Sequence, residues 1–135
     1  MAPSRQAYVL LRLALGMSLF LHGATRIGAG PDRFAQTVVR EFQATILPGG
    51  LVHAYALVLP FVEGLIGLLL LLGWLTRAAL VLGGVLMVSL IFGTALRSEW
   101  NTIGLQLIYA GVIYILLSRQ ADNAWALDSL RLPRD

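Results

Sequence analysis

Residues 52–74 read VHAYALVLPFVEGLIGLLLLLGW, and this stretch decides the class of the protein. It carries a single carboxylate, Glu63, in an otherwise uncharged run that ends in the unbroken Leu68 to Leu72. At about 1.5 Å per helical residue it is long enough to cross a hydrocarbon layer of about 30 Å. Three further segments of the same kind lie around it, at residues 6–24, 78–96 and 102–117. Thr76-Arg77 leaves so short a turn after the second span that the second and third helices must form an antiparallel hairpin. Arg97-Ser98-Glu99-Trp100-Asn101 separates the third span from the fourth. The expected fold is all-α: a four-helix transmembrane bundle, one integral membrane domain over residues 1–135.

Composition points the same way. Hydrophobic residues make up 58% of the chain and charged residues 13%, about half the charged share of an ordinary soluble domain. The lipid bilayer is therefore the expected partner of much of the surface. All ten basic residues are arginine, and the net charge is +3. They stand at the ends of apolar segments rather than along one face, which argues against nucleic-acid binding. There is no cysteine, so disulfides, thiol chemistry, iron–sulfur clusters and cysteine-ligated zinc are excluded. Arg12 interrupts the first apolar run and no small-residue cleavage site follows it, so that run reads as a span and not as a signal peptide.

The connection between the first two spans has its own pattern. Pro31 suits the first position of a helix, and Phe34, Val38, Phe42 and Ile46 recur every four residues. That spacing predicts an amphipathic helix over 31–47, lying on the membrane surface or packed over the mouth of the bundle, and stopped by Pro48-Gly49-Gly50. Four spans put both termini on one side. Arg5, Arg77, Arg119, Arg131 and Arg134 would face that side, against Arg26, Arg33, Arg40 and Arg97 on the other. This asymmetry favours termini in the cytoplasm of a bacterial inner membrane.

Two ionisable residues lie deep in the spans, Arg12 and Glu63. A lone charge there costs a few kcal/mol or more (about 2.5–3.5 on insertion scales), so both should be buried between helices. Their heights differ by about 6 Å at the helical rise, within reach of an arginine, and a pair is expected if the first two spans are neighbours. Such a pair reads either as a lock for the bundle or as part of a polar pocket. On the first helix Arg12, Gly16, Leu19, His22, Gly23 and Arg26 share one face. On the second, Pro60 should kink the helix beside Glu63, and Gly64 and Gly67 allow close approach. His22 and His53 have no metal-ligand spacing, so no metal site is expected. Gln106 and Tyr109 add hydrogen-bonding groups on the fourth span. The candidate ligand pocket is thus Arg12, His22, Glu63 and Gln106, with no residue marked as catalytic.

Several stretches resemble the DoxX/DoxD-like family of small four-helix membrane proteins. They are Leu11-Arg12-Leu13-Ala14-Leu15-Gly16 with His22-Gly23 and Arg26, then Pro60-Phe61-Val62-Glu63-Gly64-Leu65-Ile66-Gly67, then Leu72-Gly73-Trp74-Leu75-Thr76-Arg77. Trp125-Ala126-Leu127-Asp128-Ser129-Leu130 is similar to that family's Ser-Leu-Asp ending in altered form. The resemblance implies a membrane role around quinone-linked oxidation, and its DoxD branch is associated with thiosulfate:quinone oxidoreductase. Without cysteine or a large soluble loop, independent thiosulfate oxidation does not follow. The resemblance implies instead a quinone-interacting subunit, with quinone as the one cofactor to consider. The alternative is a non-catalytic accessory or assembly subunit of a larger membrane complex or homo-oligomer. A transporter is disfavoured, because four helices leave little room for alternating access.

Overall fold

The computed structural model describes residues 1–131. Its five helices are α1 Pro3–Ala29, α2 Pro31–Glu41, α3 Gly49–Leu72, α4 Thr76–Leu96 and α5 Trp100–Ser118. α1, α3, α4 and α5 are each long and apolar enough to cross a membrane. The protein is a multi-pass membrane protein with the all-α four-span architecture that its hydropathy pattern predicts. Leu10, Val58, Phe61, Val85, Val88 and Ile108 are exposed on the outer surface of the spans, where lipid, not water, is the contact.

The helix ends follow local chemistry. Pro3 and Pro31 open α1 and α2 at positions where a missing N–H costs nothing. α1 runs to Ala29, five residues past the predicted span, until Gly30 with φ 104 breaks it. α3 runs through Pro60 and ends where Gly73, at φ 64, turns left-handed. There the Trp74 amide reaches Leu69 O at 2.9 Å and the Gly73 amide reaches Leu70 O at 3.2 Å, closing the last turn as a Schellman motif.

α2 is shorter than the four-residue repeat predicts. It ends at Glu41 instead of residue 47. The Thr45 hydroxyl and amide both donate to Phe42 O, at 2.7 and 3.0 Å, and this local turn competes with helix continuation. Phe34, Val38 and Phe42 face the bundle, but Ile46 is 86% exposed and falls out of the pattern. α2 is laid against the first turns of α3: His53 meets Asp32 at 3.1 Å, and Gly49 lies beside Val39.

The tightest packing in the bundle is between α1 and α3, which run antiparallel. A Cβ on Gly23 would overlap the Pro60 carbonyl oxygen and the Gly64 backbone, and one on Gly67 would overlap the Phe20 backbone. A Cβ on Gly16 would stand 3.0 Å from the Leu71 nitrogen. The two backbones therefore touch, as small residues permit where no hydrophobic force drives helices together in lipid. Leu15, Leu19, Leu59, Ile66, Leu70, Leu80, Met87, Ile113 and Leu116 fill the core around this seam.

This packing generates a direct test. Gly67→Leu should destabilise the protein by at least about 1–3 kcal/mol, the usual cost of overpacking a rigid contact. Gly28→Ala, where nothing lies within 4 Å of the added carbon, should be neutral or slightly stabilising. Thermal unfolding in detergent compares the two, and equal midpoints would contradict the seam.

Candidate functional site

The buried charges do not pair with one another. Arg12 is 1% exposed and Glu63 4%, so both are buried between helices as expected, but each has a different partner. In the antiparallel register of α1 and α3, Gly23 meets Gly64, while Arg12 arrives opposite Gly73 near the end that carries the termini. Glu63 is therefore closer to Arg26, three residues beyond Gly23, and Arg26 Nη1 donates to Glu63 Oε2 at 2.6 Å. The expected Arg12–Glu63 pair fails because α1 continues past residue 24 and keeps Arg26 in the helix. Arg26 already stood on the polar face of the first helix in the sequence; the register alone would have singled it out.

Arg12 holds the C-terminal tail instead. Its Nη1 donates to Asn123 Oδ1 at 2.6 Å and Ala124 O at 2.9 Å, and its Nη2 donates to Trp125 O at 2.9 Å. Asn123 in turn donates to Thr76 Oγ1 at 3.2 Å. The Asp128 carboxylate accepts the Leu75 and Thr76 amides, each at 2.8 Å, at the start of α4. It thereby satisfies two donors at a helix N-terminus and holds Leu75 at φ 49. Ala126 packs against Gly73 so closely that a Cβ there would overlap it. The tail thus closes the terminal end of the bundle, while Trp125 turns outward at 78% exposed.

At the opposite end lies a cavity of about 730 Å³. Three of the four sequence candidates, His22, Glu63 and Gln106, line it; Arg12 does not. Leu19, Leu59, Met87 and Leu90 supply apolar wall, and Phe34, Val38 and Phe42 close it from α2 and the loop after it. A polar pair stitches each helix contact around it. Arg26–Glu63 joins α1 to α3, and the Tyr55 hydroxyl meets Ser89 Oγ at 2.6 Å between α3 and α4. Gln106 Nε2 donates to Thr94 Oγ1 at 2.9 Å between α5 and α4, and Ser18 and Tyr109 share a short hydrogen bond between α1 and α5. At the mouth, Arg26 lies 4.6 Å over the Phe34 ring, and Arg97 meets Glu41 at 3.3 Å. Tyr55, Ser89 and Thr94 are not site candidates in the sequence, because single hydroxyls in apolar helices are common and only the helix register brings them together; Arg97 is read there only as a charge at a span end.

A second hollow, about 840 Å³, runs along the start of α4 beside the tail. Val81, Leu82 and Val85 on its wall are exposed on the lipid-facing surface, while Thr76, Arg77, Gln120, Asn123 and Asp128 make its other side polar. No group of three or more potential metal ligands occurs among the described residues.

Comparison with known families adds one match. The model of the family described as "Methylamine utilisation protein MauE" matches residues 4–106, which takes in nearly all of α1, α2 to α4 and the cavity-lining residues up to Gln106. No curated protein and no solved structure matches the chain.

The Asp128 contacts predict a pH dependence. Burial alone would raise its carboxyl, but the amide and side chain of Thr76, the Leu75 amide and Arg131 outweigh it and hold it below its ordinary value. A depressed folded-state value contributes stability above the unfolded value near 3.9, lost as pH falls through the folded one. Asp128→Asn should therefore lower the thermal midpoint at pH 7, with the gap to wild type closing below about pH 4. A gap that stays constant down to pH 3 would contradict this.

Proposed function

This chain belongs to the MauE family, and from that premise we propose that it is a membrane subunit serving amine utilisation that holds a quinone-class ligand in the cavity beside Glu63. MauE is a DoxX-related family of small four-span membrane proteins, so the match and the sequence resemblance point to neighbouring groups. Quinone binding is our own reading of the cavity.

The observation that carries the reading is the cavity's make-up. Its wall is mostly apolar, with a few polar groups at fixed positions, which is how pockets for flat, mostly apolar ligands are built. About 730 Å³ lies within the usual range for small-molecule sites. Phe34 and Phe42 from α2 and the following loop offer ring faces, and Tyr55, Glu63 and Gln106 offer hydrogen bonds. With the termini in the cytoplasm, the mouth opens toward the outer face of the membrane.

The competing reading is an accessory or assembly subunit without a ligand. It is favoured by α5, which buries only Ile113 and Leu116 and leaves Leu107, Ile108 and Ile115 uncovered for a neighbouring subunit or lipid.

Native mass spectrometry of the protein released from its own membrane separates the two. We expect a bound mass matching a lipid-soluble quinone or its reduced form, lost in Glu63→Gln, which weakens the pairing with Arg26. Phospholipid adducts alone, unchanged in the variant, would contradict the quinone reading.

A further inference from the structure

We infer that the cavity selects the reduced, hydroquinone form of its ligand over the quinone, because the one polar atom of its wall that is both buried and without a partner among the described residues is an acceptor, Gln106 Oε1. This rests on the quinone reading above and adds the redox form.

The directions of the hydrogen bonds decide the matter. Thr94 Oγ1 has one proton and donates it to Leu90 O at 2.7 Å. It must therefore accept from Gln106, so the amide nitrogen of Gln106 faces Thr94, and the oxygen is the free end. That oxygen, Gln106 Oε1, is buried and has no partner among the described residues. Ser89 Oγ likewise donates to Leu86 O at 2.7 Å, so it accepts from Tyr55 and uses the Tyr55 proton. His22 Nδ1 lies 2.7 Å from Ser18 O, which can only accept, so Nδ1 donates there. Glu63 uses Oε2 for Arg26, and Oε1 receives no hydrogen bond among the described residues.

Gln106, Tyr55 and Glu63 therefore present acceptor lone pairs along one cavity. Arg26 and Arg97 at the mouth and the Thr102 hydroxyl keep donors beyond those given to Glu63, Glu41 and Glu99, but these serve both redox forms alike, since hydroquinone oxygens accept as quinone carbonyls do. A buried acceptor without a donor costs about 1–3 kcal/mol, and a ligand that supplies the donor removes that cost. Hydroquinone hydroxyls donate. Quinone carbonyls only accept, and leave Gln106 Oε1 without a donor.

The test uses the full-length protein in lipid nanodiscs under anaerobic conditions, with three probes of one ring: a short-chain benzoquinone, its hydroquinone and the dimethyl ether of that hydroquinone. The hydroquinone should bind at least about tenfold tighter than either other probe, the equivalent of one satisfied buried acceptor. Gln106→Met should bring the three within about threefold of one another; in this variant the unsatisfied acceptor is replaced by an apolar group. Quinone binding as tightly as hydroquinone overturns the inference and leaves the proposed function standing. Ether binding as tightly as hydroquinone overturns it too, by showing that shape rather than donation sets the preference. Binding by none of the three overturns the quinone reading itself.

Discussion

The contact between the α1 and α3 backbones is the constraint on which the rest of the structure depends. Gly16 and Gly23 on one helix and Gly67 on the other leave no space for side chains between them, and this sets both the distance and the register of the pair. Lipid supplies no hydrophobic force between helices, so close van der Waals contact and interhelical hydrogen bonds must hold them. Once the register is set, the buried charges have no choice of partner. Arg26 lies beside Glu63 and Arg12 lies beside Gly73 and the tail.

The register also divides the molecule into two polar ends of different character. At the terminal end, Arg12, Asn123, Thr76 and Asp128 form a bonded knot in which charge and carbonyls are largely matched. Only Arg12 Nε there lacks a partner among the described residues. At the other end, single hydrogen bonds tie neighbouring helices together and leave a space between them. Removing one partner of the first set would strand buried polar groups, an effect on stability. Removing members of the second set changes the chemistry facing the cavity. The same kinds of residue thus serve structure at one end and offer a site at the other.

Much of the fold is legible in the sequence, because the spans are long apolar runs whose ends carry Arg, Gly and Pro. Glu63, His22 and Gln106 are legible as site candidates because polar groups in apolar helices have few reasons to be there. Arg12 misleads for a physical reason: its depth in the first span suggests a charge partner at similar depth, but its partners are the Asn123 side chain and a stretch of backbone more than a hundred residues away. Nothing in the hydropathy of residues 119–131 announces that they fold back onto the bundle. Ile46 misleads in the opposite way, since a four-residue repeat continues past the point where Thr45 turns the chain. Periodicity reports what a helix would bury if it formed, and local side-chain bonds decide whether it does.

The central claim is that Arg26, not Arg12, is the partner of Glu63 and places it at the cavity. Double-mutant cycles on the folding stability of the protein in detergent test this most directly, using Arg26→Gln, Arg12→Gln and Glu63→Gln singly and in pairs. The account predicts a coupling of at least about 1 kcal/mol between Arg26 and Glu63, and additivity within about 0.5 kcal/mol for Arg12 with Glu63. Strong coupling of Arg12 with Glu63, and none for Arg26, would contradict the register and the site built on it.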